Sequence, residues 1–323
     1  MEDPMTESRQ DRRDLEGYGA TPPHPQWPGQ ARLAVSFVVN VEEGAELSIG
    51  DGDERNESVH EIVENVPERP DLCMESHFAY GTRAGYWRIV GLLERYGIRA
   101  TFSCCARALE RSPWLARDIV ARGHEISAHS YRWEQHHSME EDKERAVIAR
   151  TVKMIQAACG RRPLGWHTRS SSSVNTRRLL VEKGGFLYDS DVYDDDLPRM
   201  ETVNGVPHVV LPYAFDTNDM RFTNSGGFIF PEDFARYCMG AFDQLYGEGE
   251  TLPRMLSIGL HLRIIGRPGR VAGLESLLRQ MSAYQDVWFA RRSDIAHHWR
   301  RRMGLSAFHE GALLPEQATG SSR

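Results

Sequence analysis

This chain lacks paired cysteines, a basic surplus and any long apolar run, and each lack narrows what it can be. Its five cysteines, Cys73, Cys104, Cys105, Cys159 and Cys238, are odd in number and never form a Cys-x-x-Cys pair. That argues against a disulfide framework or a structural zinc site and suits reduced thiols in a cytoplasm. Lys and Arg number 39 against 46 Asp and Glu, a net charge of −7. No basic field is present to gather phosphates, so nucleic acid is not an expected partner. No stretch approaches the roughly 18 apolar residues that span a bilayer, so no membrane association is expected. The first 29 residues contain no apolar segment of the secretory-signal kind. The expected location is therefore the cytoplasm.

What is present is a full-sized core: 323 residues, 40% of them hydrophobic. Residues 1–30 read as an extended, proline-rich lead-in, with Trp27 as an anchor. Residues 31–304 read as one catalytic domain and 305–323 as a polar, flexible tail. Within the domain, short apolar β-branched runs alternate with helical spacing. Strands are expected at 34–39, 99–105, 124–128, 164–167, 255–261 and 287–290. Helices are expected at 85–96, 113–122, 139–159, 175–183, 231–246, 270–284 and 293–302. Residues 51–70 read as a surface loop with a short helix. Repeated strand–helix units imply parallel strands with right-handed crossovers. About seven or eight such units favour a barrel over an open sheet.

Chemistry on such a barrel gathers where strands end at the C-terminal face. The first strand ends in Asn40, Glu42 and Glu43. The third leads to His129, the fourth to His167 and Arg169, the next to Asp189 and Asp191, and the late strand to His261 and Arg263. A lone histidine at a strand end is more often structural than catalytic. A carboxylate, several histidines and an arginine delivered to one mouth suit general acid–base hydrolysis. Three further groups are read as non-catalytic. The run Asp194-Asp195-Asp196 is a solvated turn. His136-His137 and His297-His298 occupy polar helical contexts at the surface. His124 lies at the start of its strand, away from the mouth.

The strings Phe37-Val38-Val39-Asn40-Val41-Glu42-Glu43-Gly44, Gly123 to Trp133, Arg162-Pro163-Leu164-Gly165-Trp166 and Leu256 to Pro268 resemble the polysaccharide deacetylase superfamily. They are most similar to its metal-independent allantoinase and cyclic imide hydrolase branch. The likeness also takes in Asp14 to Gly19, Tyr80-Gly81-Thr82-Arg83-Ala84-Gly85, Asp216 to Phe222 and Val287 to Trp299. It implies an α/β fold, a distorted (β/α)7 barrel, and it implies a homo-oligomer, a tetramer. Candidate contact surfaces are the segment near Trp27 and the run Phe228-Ile229-Phe230.

Where the metal-dependent deacetylases carry Asp-x-Asp, this chain has Asn40 and Glu42. Where they carry His-x-x-x-His it has His129 and Trp133. An indole N–H only donates and cannot bind zinc. Glu42 and His129 alone fall short of the three protein ligands usual for catalytic zinc. The resemblance thus implies catalysis without a cofactor; zinc on Glu42 and His129 is the alternative. A second departure is Trp166-His167-Thr168-Arg169-Ser170, where the allantoinases carry Trp-Tyr-Thr-Gly-Arg.

The expected function is hydrolysis of a small cyclic ureide or imide. Glu42 or His129 would be the base and His261 the acid. Asn40, Glu43, Trp133, His167, Arg169, Asp189 and Arg263 would meet the substrate. A metal-dependent N-deacetylase of an amino sugar or other linear amide is the second reading, and a non-catalytic ligand-binding barrel the third.

Overall fold

The computed structural model describes residues 14–308 apart from 60 and 63, so most of the expected tail lies outside the described residues. Nine strands form one sheet: β1 (Leu33–Val41), β2 (Thr101–Cys104), β3 (Glu125–Ala128), β4 (Gly165–Trp166), β5 (Tyr188–Asp189), β6 (Arg199–Val203), β7 (Val206–Val210), β8 (Arg254–His261) and β9 (Val287–Phe289). The helices are α1 (Leu72–Tyr80), α2 (Tyr86–Arg95), α3 (Ala106–Arg111), α4 (Pro113–Ala121), α5 (Glu141–Cys159), α6 (Thr176–Lys183), α7 (Pro231–Glu248), α8 (Pro268–Met281) and α9 (Arg292–Arg302).

Reading β7-β5-β4-β3-β2-β1-β8, every neighbouring pair is parallel. These strands make the distorted (β/α)7 barrel. All nine residues of β1 are buried, as expected of a parallel strand covered on both faces. From Leu33 to Asn40 β1 pairs β8, so that Asn40 sits opposite His261. On its other side β1 pairs β9 through Leu33–Val35 and then β2 from Val38 onward.

The barrel is not zipped all round. Among the described residues no ladder joins β7 to β8; the chain beyond β7 meets β8 through a bridge from Asn218 to Gly259. Side chains close this seam. Ser257 Oγ donates to the Pro212 carbonyl at 3.1 Å and Thr217 Oγ1 to the Ser257 carbonyl at 2.6 Å. At the start of α9, Arg292 is 2% exposed. Its guanidinium donates to the Leu211 and Pro212 carbonyls at 2.7 and 2.8 Å, to Ser257 Oγ at 2.8 Å and to Ser190 Oγ at 2.9 Å.

Several expectations need correction. The helix expected at 85–96 begins earlier: α1 runs through a π turn at Gly81–Gly85 into α2. Helix α3 and the antiparallel hairpin β6–β7 were not expected, although β7 is a barrel strand. His136 is in a loop, not a helix, and is 0% exposed. Trp27 anchors the lead-in as expected. It does so inside its own subunit, packing on Trp288 and Trp299 and donating to the Arg254 carbonyl at 2.9 Å. Phe228 is buried as well, against Phe222 and Phe234, which leaves Ile229 and Phe230 as the exposed part of that run. Among the described residues no helix is long and apolar enough to cross a membrane.

Candidate active site

Three strand ends deliver the central groups. Glu42 follows the last residue of β1, His129 follows β3, and His261 is the last residue of β8. All three are buried. One oxygen of Glu42, Oε1, lies 3.4 Å from His129 Nε2 and 3.6 Å from His261 Nε2. Its other oxygen accepts from Arg263 at 2.6 Å. Burial by itself pushes the Glu42 carboxyl up. Arg263, His261 and the hydrogen bond to His129 outweigh it and hold the group well below the usual carboxylate range.

Each histidine is oriented from behind. His129 Nδ1 lies 2.7 Å from the His167 carbonyl oxygen. A carbonyl only accepts, so Nδ1 carries a hydrogen and the ring turns Nε2 toward Glu42 and the cleft. His261 Nδ1 lies 2.6 Å from Asp219 Oδ1. Asp219 is pinned in turn, because its Oδ2 accepts from the backbone N–H groups of His261 and Ile265 at 2.7 and 3.1 Å. Burial depresses the His261 pKa, but Asp219 and Glu42 prevail and raise it. Both rings thus turn Nε2 toward Glu42, and His261 is biased toward carrying two protons.

These groups line a cleft of ≈ 210 Å³ together with Asn40, Trp133, His167 and Arg169. The trait shared by Tyr193, Tyr213, Phe215, Asn218, Met220 and Asn224 is that they line it too but were not singled out in the sequence. Most of them, like Asp219, come from the segment that crosses the seam. A buried acidic residue inside the family-like string Asp216 to Phe222 was the one available signal.

Trp133 stands in the cleft wall where the deacetylase pattern has its second histidine. The Arg169 guanidinium stacks on its ring at 3.5 Å. Arg169 is itself clamped to Glu57 through two bonds of 2.9 and 3.0 Å and donates to the Trp133 carbonyl at 2.9 Å. Much of its donor capacity is therefore spent on fixing the wall. His167 stacks on His129 at 5.2 Å, and burial lowers its pKa against the pull of Asp191. Its Nδ1 is committed to the Ser190 carbonyl at 3.0 Å.

Three other expected site residues are not in this cleft wall. Glu43 lies behind Glu42, accepting from the Glu42 N–H at 2.9 Å. Its pKa is raised to about 7 by burial and by Glu42, against the pull of Arg263. Arg263 lies under Glu42 and over the Phe78 ring, and lines the adjoining pocket. Asp189 is turned away into a buried pair with Arg177 at 2.7 Å and His208 at 3.0 Å. His124 lies toward the other end of the barrel, as expected, where its Nδ1 accepts from the Ala100 N–H at 3.1 Å.

The donor set is poorly suited to a metal ion. Glu42 is taken by a buried guanidinium, Asn40 is neutral and Trp133 offers no lone pair. Among the described residues no group of three or more His, Cys, Asp or Glu is arranged to hold one.

Fold and site together define an amide hydrolase of the barrel type. The family model for polysaccharide deacetylase matches residues 68–188. The "Putative polysaccharide deacetylase" of Schizosaccharomyces pombe is 35% identical over 311 residues, 89% of this chain and 96% of its own length. The chain belongs to the polysaccharide deacetylase family and is a hydrolase of carbon–nitrogen bonds other than peptide bonds. Among solved structures, Puue allantoinase is 47% identical, with a TM-score of 0.87 over 90% of this chain and 97% of its own. The "probable Polysaccharide deacetylase" of Pseudomonas aeruginosa PAO1 is 46% identical, with a TM-score of 0.88 over 91% of this chain and 100% of its own. These likenesses fit the allantoinase-like branch of the family.

Proposed function

We propose that this hydrolase opens the ring of a small cyclic amide, a ureide or an imide, without a metal ion and in the cytoplasm. The observation that carries this reading is the convergence of His129 Nε2 and His261 Nε2 on one oxygen of an ionised Glu42. Water bound at that point gives a proton to His129 as its oxygen attacks the ring carbonyl. Glu42 stabilises the imidazolium that forms. His261 passes a proton to the ring nitrogen as the carbon–nitrogen bond breaks. The product is a carboxylic acid bearing the freed N–H, and solvent restores both histidines.

Several features support a ring. The cleft is smaller than the roughly 300–1,000 Å³ of pockets for drug-sized ligands. A ring imide or ureide has a better leaving nitrogen than a sugar acetamide, which makes metal-free attack chemically tolerable. Asn40 Oδ1 is a buried acceptor with no protein partner, suited to a ring N–H. The allantoinase relative supports the same class, while the altered loop at His167 to Ser170 keeps the proposal at ureides and imides rather than allantoin. The cytoplasmic assignment is supported by five free cysteines.

The test is a turnover screen on allantoin, hydantoin, succinimide, glutarimide and N-acetylated amines, with and without chelator. Turnover of one of the rings, unchanged by chelator, is expected. Hydrolysis confined to N-acetylated amines and lost on chelation would overturn the proposal.

A further inference from the structure

Tyr213 stands in the cleft wall between the seam and His167, whose ring meets its own edge-on at 4.6 Å. Its hydroxyl accepts from Asn40 Nδ2 at 3.1 Å and from Asn218 Nδ2 at 3.3 Å. The amide orientations are set from outside this contact. Asn40 Nδ2 also donates to the Leu260 carbonyl at 3.2 Å. Asn218 uses its Oδ1 to accept from the Met220 N–H at 2.9 Å. Both amides therefore turn N–H toward the phenol, and the oxygen's capacity to accept is filled. What remains is its one hydrogen.

Among the described residues that hydrogen has no acceptor. Space is kept for the arrangement. A Cβ at Gly259 would overlap both the Tyr213 hydroxyl and Asn218 Nδ2. A tyrosine serving only to pack the barrel would spend its hydrogen on the protein, since a buried donor left unpaired costs about 1–3 kcal/mol.

We infer that the Tyr213 hydroxyl donates a hydrogen bond to the carbonyl oxygen of the scissile amide and stabilises the oxyanion formed when water adds. The inference rests on the proposed hydrolysis and names its missing electrophilic group. As the water oxygen bonds to carbon, the carbonyl π pair moves onto oxygen. The phenol keeps its hydrogen and only strengthens the bond it donates. The Asn40 and Asn218 N–H groups polarise the O–H from behind, because each hydrogen bond in a chain strengthens the next.

Tyr213→Phe keeps the ring and deletes the donor. On the ring amide that the wild type hydrolyses best, kcat is expected to fall by roughly 10²-fold with little change in KM, the scale of losing one oxyanion donor. On the matching thiocarbonyl analogue, a poor hydrogen-bond acceptor, the wild-type advantage should shrink to a few-fold. An equal loss on both substrates would mean a merely structural role and would overturn the inference, as would near-normal kcat on the oxo substrate. Asn218→Asp is the companion variant should Tyr213→Phe not fold. It keeps the oxygen that accepts from Met220 but offers the phenol an acceptor, and should show the same substrate-dependent loss.

Infrared spectra of carbonyl-labelled hydantoin bound to the His261→Ala protein separate this inference from the proposed reaction. A carbonyl stretch lowered in the presence of Tyr213 and restored in the double variant is expected even if hydantoin is not turned over. An unchanged stretch overturns the donor role whatever the reaction proves to be.

Discussion

In the proposed reaction Glu42 and His261 act on charge that develops in the transition state, so their loss should appear in kcat more than in KM. Glu42→Gln and His261→Ala are each expected to lower kcat by roughly 10²-fold or more. Asp194→Asn, at an exposed residue paired with Arg199, serves as the control and should change little; steady-state kinetics on one substrate checks all three. Asp219 supports the raised pKa of His261. His261 must be protonated to act as the acid, and Asp219→Asn withdraws a charge that favours that form. The alkaline limb of the kcat/KM profile should therefore move to lower pH, whereas an unmoved limb would mean that another group is the acid. The strand ends supplied Glu42, His129 and His261 because each directly follows or ends a segment that reads as a strand, which is visible in the chain. Asp219 was missed because it follows no strand, and its role exists only through a contact made 42 residues away. His136 was misread for a related reason. It joins Ser130 Oγ and Glu144 Oε1, each at 2.8 Å, and only that pairing in the folded chain makes burying a polar ring tolerable.

At the scale of elements, the turn joining α1 to α2 shows how a helix is brought up against the site. Gly81 and Gly85 bracket the π turn. A Cβ on Gly81 would overlap the Glu43 carboxylate, and one on Gly85 would overlap the Leu262 carbonyl just after His261. Backbone cannot yield as a flexible side chain can, so Gly85→Ala should displace the loop after β8. We expect a lower Tm and a lower kcat together. A variant with wild-type Tm and kcat would show that the close approach is not needed. The string Tyr80 to Gly85 was legible as a family mark but not as a helix, because glycine disfavours helix and hides the period. The longer elements, β1, β8, α5 and α7, were legible from their periodicity and glycine stops. Strand β4 falls within the strand expected at 164–167, whereas β5 is only two residues long, too short to show an alternation, and β7 with its hairpin partner β6 was not expected.

For the whole molecule, Arg292 is the test of how the seam is held. Arg292→Met removes the guanidinium that donates to two carbonyls and two hydroxyls, so a loss of about 3 kcal/mol or more is expected from denaturant unfolding. Arg292→Lys should not restore it, since an ammonium cannot reproduce the planar fork. Assembly is a separate expectation at this scale. With Trp27 and Phe228 packed within the subunit, Ile229 at 78% and Phe230 at 63% exposure remain as apolar surface. We expect a homotetramer, and light scattering that finds a single 36.8 kDa species would reject it. The seam also bears on how such a protein can diversify. The stretch from Leu211 to Asn224 supplies much of the cleft wall and also takes the place of the missing strand pairing. A lineage that altered these residues to accept a new ring would loosen the same joint that keeps the barrel shut. Changes of substrate range in such enzymes should therefore arrive with compensating replacements around Arg292 and Ser257, and a wall segment transplanted without them should cost the recipient its fold before it changes its chemistry.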